Sequence, residues 1–164
     1  NLYIKWELNM NKNIKAFKDW SRIWNSLLAN ISYKKTAVVL RDFHVDNIFY
    51  LKDRNKLEKI GLIDFQDSLI GHPAYDLVSL LQDVRIFLSI KEQNSFYNYY
   101  KKHAKIKQSD FKYAYLVLGT QRLFKIIGIF KKLAIKQEKI NYLKYIPRTK
   151  NLIKHNLKAL YLMN

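Results

Sequence analysis

An aspartate, an asparagine five residues later and a second aspartate beyond a short hairpin stand out in this chain. They lie in Leu40-Arg41-Asp42-Phe43-His44-Val45-Asp46-Asn47 and in Ile63-Asp64-Phe65-Gln66-Asp67. Carboxylate and carboxamide oxygens suit a hard divalent cation such as magnesium. That ion takes one or two protein carboxylates and completes its shell with phosphate and water. A separate carboxylate facing an acceptor hydroxyl can accept or orient its proton. Together these are the requirements of phosphoryl transfer from ATP, in which the negative charge on the phosphate oxygens must be neutralised. On this reading Asp42 is the base, and Asn47 and Asp64 are the magnesium ligands. A spacing of five on a tight loop lets Asp42 and Asn47 point into one cleft.

An Asp-x-x-x-x-Asn pair alone says little, because loops are rich in both residues. Its meaning comes from the elements around it. The run Thr36-Ala37-Val38-Val39-Leu40 is a short buried strand that delivers Asp42. Strands Ile48–Leu51 and Leu57–Ile63, turned by Lys52-Asp53-Arg54-Asn55-Lys56, bring Asp64 back beside it. Gly71-His72-Pro73-Ala74-Tyr75-Asp76-Leu77 then opens a helix with an acid in its first turns, where the helix dipole favours one.

The stretches LRDFHVDNIFYL and GLIDFQDSLIGHPAYDLVSLLQDVR resemble the catalytic and metal motifs of the aminoglycoside phosphotransferase and choline kinase family, which shares the protein-kinase-like fold. LGTQRLFKIIGIFKKLA and YLKYIPR are similar, more narrowly, to a bacterial branch of anomeric kinases acting on the cell-wall amino sugars N-acetylmuramate and N-acetylglucosamine. The resemblance covers roughly residues 37 to 160. It implies an ATP-dependent kinase acting on a small-molecule hydroxyl, an amino sugar above all. It also implies a structural role for Asp76 in bracing the catalytic loop. His44 lies where protein kinases carry a Lys near the transferred phosphate, so it either contacts phosphate or bonds to the loop backbone. Arg41 supports the loop or meets phosphate. Asp67, Gln121 and Arg122 are candidate acceptor contacts; for the last two, satisfying buried partners is the alternative. The family's His before the Arg-Asp pair is replaced by Leu40, which puts the loop's rigidity in question.

The remainder reads as helical scaffold. Ile14, Phe17, Ser21, Trp24, Leu28 and Ile31 recur at helical steps, and Tyr33-Lys34-Lys35 breaks the pattern. Leu77, Leu80, Leu81, Val84, Phe87 and Leu88 form a stripe ending near Ser89. Glu92 to Ala104 is a further helix, its aromatic face packed and its lysine face solvated. Ser109-Asp110 caps a central helix, Phe111 to Lys136, apolar nearly all round. Gly119 and Gly128 inside it call for close packing or a local break. Pro147 precedes a last helix, Arg148 to Leu162. The fold expected is mainly α with a small β-hairpin, an α+β arrangement matching the C-terminal lobe of a protein-kinase-like phosphotransferase. The 164 residues suit one domain, with the two loops at about 40–68.

Composition bounds the alternatives. There is no cysteine, which excludes disulfides and thiolate zinc sites, and the four histidines show no paired-ligand spacing. No signal peptide or membrane-length apolar run is visible, so a cytoplasmic protein is expected. The net charge of +17 could draw nucleic acid, but the lysines are spread over every segment, as on a solvated surface. A nucleic-acid partner is therefore disfavoured. The four glycines, at 61, 71, 119 and 128, form no nucleotide-covering loop, and nothing before Asp42 supplies the Lys–Glu pair of an N-terminal lobe. Beginning with Asn1, the sequence leads us to expect a piece of a longer chain. The N-terminal lobe would then be supplied in cis or in trans, and the isolated piece would have negligible turnover. The rival expectation is an inactive basic remnant that binds nucleic acid or protein. A metal-dependent hydrolase is a weaker third, lacking a histidine-rich or two-metal ligand set.

Overall fold

The computed structural model describes residues 2–10, 12–31, 36–104 and 110–163. The expected break Tyr33-Lys34-Lys35 and the expected cap Ser109 fall outside them. The chain divides into two compact units, Asn1–Ser32 with Lys112–Asn164, and Tyr33–Phe111. Helices dominate, and two two-stranded antiparallel sheets are present among the described residues.

The unit Tyr33–Phe111 carries both acidic loops. Its strands are β1 (Ala37–Val39), β2 (Ile48–Tyr50), β3 (Ile60–Leu62) and β4 (Leu69–Gly71). β2 pairs with β3 in the register Ile48↔Leu62, Phe49↔Gly61, Tyr50↔Ile60. The expected strand Leu57–Ile63 thus begins only at Ile60. Lys56–Lys59 forms a 3-10 turn instead, entered through Lys56 at φ 48°. β1 pairs with β4, Ala37↔Gly71 and Val39↔Leu69, a partner that three residues in a loop did not announce.

Helix α3 (Ala74–Leu81) stops well before Ser89. The cause lies at Asp83, whose carboxylate accepts the Arg85 amide at 3.0 Å, a local turn that competes with helix. Helix α4 (Ile90–His103) then starts on a capping box between Ser89 and Glu92. Val39, Ala74, Val78, Leu81, Val84, Tyr97 and Phe111 are buried. His72 is buried among them, its Nδ1 accepting the Ala74 amide at 3.2 Å, and burial lowers its pKa.

The other unit contains α1 (Leu2–Trp6), α2 (Ile14–Ala29), most of α5 (Asp110–Gln137) and α6 (Ile146–Tyr161). Asn13 caps α2 by accepting the Ala16 amide. Pro147 sits in the first turn of α6, where its missing N–H costs nothing. Tyr3, Trp20, Trp24 and Phe124 form an aromatic cluster with ring centroids 4.6–6.0 Å apart. Such pairs add about 0.5–1.5 kcal/mol each beyond area burial. Glu7, largely buried, pairs with Lys150 at 2.5 Å and Lys131 at 3.5 Å, fastening the N-terminal segment to α5 and α6.

Gly128 explains one of the two helical glycines. A Cβ there would stand 2.5 Å from the Leu2 carbonyl carbon and 2.7 Å from its Cβ. Helix propensity alone would make Gly128→Ala stabilising by about 1 kcal/mol. Backbone overlap reverses the sign, and we expect a net loss of roughly 1–3 kcal/mol in chemical denaturation. A stabilised variant would show that α1 does not pack there.

Candidate active site

Loop Leu40–Asn47 leaves β1 and must turn within a few residues. Arg41 does so in the left-handed region, at φ 69°. Asp64, two residues past the end of β3, is also left-handed, at φ 59°. A non-glycine residue in that region costs about 1–2 kcal/mol. Two of the sequence-selected residues therefore occupy strained backbone.

Three of the loop's amides, those of Leu40, Arg41 and Val45, are taken by carboxylates. Asp76, in the first turn of α3, accepts the Leu40 amide at 2.6 Å and the Arg41 amide at 3.2 Å. It holds the backbone on the two residues before Asp42. A short 3-10 turn, Val45–Asn47, closes the loop, with the Asn47 amide donating to the His44 carbonyl at 3.0 Å.

Asn47 joins the two acidic segments. Its Nδ2 donates to the Asp42 carbonyl at 2.9 Å and to Asp64 Oδ2 at 3.3 Å. The hairpin makes this meeting possible. Beyond the Ile48↔Leu62 pair, the Ile63 amide donates to the Asn47 carbonyl at 3.2 Å, so Asp64 follows directly. Gln66 Nε2 donates to the other oxygen of Asp64. Asp42 and Asp64 are exposed and Asn47 is half-buried. Among the described residues no donor engages the Asp42 carboxylate.

Other selected residues lie nearby or elsewhere. Arg41 reaches toward Asp67, 3.9 Å between charged atoms, with both side chains in contact with solvent. Such a pair contributes little to stability. His44, the residue just before the 3-10 turn, is half-buried. Gln121 and Arg122 are on α5 in the other unit, where Arg122 is buried. Burial pushes the Tyr100 phenol up, and the Asp76 charge adds to this.

Asp83 and Arg85 were not singled out by sequence reasoning. Asp83 is fully buried and accepts the Val45 amide at 3.1 Å; Arg85 Nε meets Asp46 at 2.8 Å. The available signal was an acid inside the apolar run from Leu77 to Leu88, seven residues after Asp76, since a fully buried aspartate needs partners.

The donors fit magnesium by type. Asp64 offers an exposed carboxylate, and the Asn47 carboxamide, held through Nδ2, brings Oδ1 as a second, neutral oxygen donor. Among the described residues no three His, Cys, Asp or Glu side chains gather as a metal site. An ion here would thus be held by few protein ligands, as magnesium at phosphate usually is. No helix among the described residues is long and apolar enough to cross a membrane.

Residues 3–114 match the family described as phosphotransferase enzyme family. Three similar curated proteins are N-acetylmuramate/N-acetylglucosamine kinases. The Caulobacter vibrioides protein is 28% identical over 152 residues, covering 90% of this chain and 42% of the relative. That of Neisseria meningitidis is 30% identical, covering 94% and 48%. That of Pseudomonas aeruginosa is 28% identical, covering 89% and 44%. The chain spans just under half the length of each of these relatives.

Removing the Asp76 carboxylate leaves two loop amides without their acceptor. Hydrogen bonds to charged groups contribute about 1.5–3 kcal/mol each, so Asp76→Ala should cost on the order of 3 kcal/mol in urea denaturation. A loss below about 0.5 kcal/mol would mean that water satisfies those amides equally well.

Proposed function

The chain belongs to the phosphotransferase enzyme family, and on that premise we propose that residues 40–67 form the metal- and acceptor-facing half of an ATP-dependent kinase site. The acceptor is a hydroxyl of an amino sugar, in keeping with the names of the similar proteins. The observation that carries this reading is the Asn47 carboxamide, bonded at once to the Asp42 backbone and the Asp64 carboxylate.

Each residue then has a task. Asp42, exposed and unengaged by any donor among the described residues, accepts the proton of the attacking hydroxyl. Asp64 and Asn47 hold magnesium. Magnesium, when bound, neutralises charge on the oxygens of the transferring phosphate. Gln66 keeps the Asp64 carboxylate oriented. Asp76 holds the loop before Asp42. Arg41 and His44 support the loop or contact phosphate. Asp67 is an acceptor contact in this proposal.

The whole chain serves as a single C-terminal lobe in this reading. ATP needs a nucleotide-binding lobe as well, supplied in cis or in trans. A reaction drawing on ATP to phosphorylate cell-wall amino sugars belongs to recycling in the cytoplasm.

The test is ATP- and magnesium-dependent phosphorylation of N-acetylmuramate and N-acetylglucosamine by the gene product that carries this sequence. Asp42→Ala should lower kcat by about 10²–10⁴-fold with ATP binding intact. Asp64→Ala should abolish magnesium-dependent nucleotide binding. Turnover unaffected by Asp42→Ala, or nucleotide binding unaffected by Asp64→Ala, would remove the corresponding role.

A further inference from the structure

The loop that bears Asp42 is held at two places, and only the first was anticipated. Asp76 takes the amides of Leu40 and Arg41. Asp83, seven residues on, takes the amide of Val45. Its other oxygen accepts both the backbone amide and the guanidinium of Arg85, each at 3.0 Å. Arg85 in turn reaches the Asp46 carboxylate through Nε at 2.8 Å. One buried carboxylate and one guanidinium thus grip consecutive residues, Val45 through its backbone and Asp46 through its side chain. The residue after these is Asn47.

We propose that Asp83 and Arg85 are positioning residues that fix the Asn47 carboxamide against Asp42 and Asp64. Val45–Asn47 is a single 3-10 turn, so fixing its first two residues fixes the direction in which the third projects. Asn47 must make two bonds at once, to the Asp42 carbonyl and to Asp64. A turn free to rock would satisfy one at the expense of the other. The charges favour the arrangement: the Asp83 side chain is completely buried, and Arg85 is its cationic partner in contact. A buried carboxylate requires that kind of partner. Arg85 remains about a quarter exposed and links that buried charge to Asp46, which lies at the surface. The grip acts on the Asn47 end of the loop, the Asp76 brace on the Asp42 end, so the two can be perturbed separately. The inference rests on the kinase reading only in giving Asn47 a ligand role.

The experiment uses the chain itself, labelled with ¹⁵N, in the wild type, Arg85→Ala, Arg85→Lys, Asp46→Asn and Asp83→Asn. Asp83→Asn keeps volume but turns one acceptor into a donor and can compromise folding; Arg85→Ala and Asp46→Asn act nearer the surface. Amide hydrogen exchange is read at Val45 and Asn47 and compared with Leu40 and Arg41. Arg85→Ala should speed exchange at Val45 and Asn47 roughly tenfold, as expected for loss of a charge-assisted bond. Leu40 and Arg41 should stay unchanged, and Arg85→Lys should recover part of the protection. The Asn47 side-chain amide resonances should shift in step. Uniform acceleration at all four amides, or none, would overturn the proposal, as would an unmoved Asn47 side-chain signal. Manganese, titrated as the divalent probe, should bind several-fold more weakly to Arg85→Ala than to wild type. Equal affinity would also overturn the positioning role. A wild-type chain that ignores manganese would instead sink the metal assignment of Asn47 and Asp64, while the exchange rates would still decide the grip.

Discussion

An irregular loop has no neighbouring strand to take its backbone amides, yet buried or half-buried amides must be paired. The site in this chain depends on how that constraint is met. Leu40, Arg41 and Val45 give their N–H groups to carboxylates rather than carbonyls. A carboxylate makes a stronger acceptor than a neutral carbonyl and imposes no strand geometry. Both acids belong to one short segment, in α3 and just past its end. That segment in turn is anchored by Ala74, Val78 and Leu81 in the core. The sequence of causes runs from apolar packing, to a fixed helix, to two fixed carboxylates, to a loop held open toward solvent.

The same fixation allows strained backbone to persist. Arg41 and Asp64 both hold left-handed dihedrals, which survive only where the surroundings over-determine them. At Arg41 the Asp76 bond does this. At Asp64 the hairpin ladder ends on the Ile63–Asn47 bond and two side-chain amides grip the carboxylate. The two strained residues stand one in each of the acidic segments that the Asn47 carboxamide joins.

Much of this was legible beforehand, for identifiable reasons. The helices α2, α4 and α6 repeat apolar residues at the helical period and begin with a cap or a proline, and α5 is apolar nearly all round. The acidic loops stood out because polar residues interrupted β-rich runs. What escaped notice depended on long-range pairing or on local capture of an amide. β4 is three residues whose strand character comes from β1, thirty or more positions away. The 3-10 turn Lys56–Lys59 shortened an apolar run that periodicity alone would extend. Asp83 ended α3 while its neighbours still fitted the stripe, because its side chain took over a backbone bond. Its contact to Val45 could not be read from a string.

The central claim is that Asp42, Asn47 and Asp64 surround one place where a divalent cation can sit. Paramagnetic broadening by manganese, followed residue by residue in the ¹⁵N spectrum of the chain, addresses it directly. The account predicts that signals of Asn47, Asp64 and their immediate neighbours vanish first, at manganese levels that leave Asp53, Glu58 and Asp110 unchanged, and that magnesium restores them. Broadening spread evenly over the exposed carboxylates, or centred on an acidic residue outside residues 40–67, would contradict it.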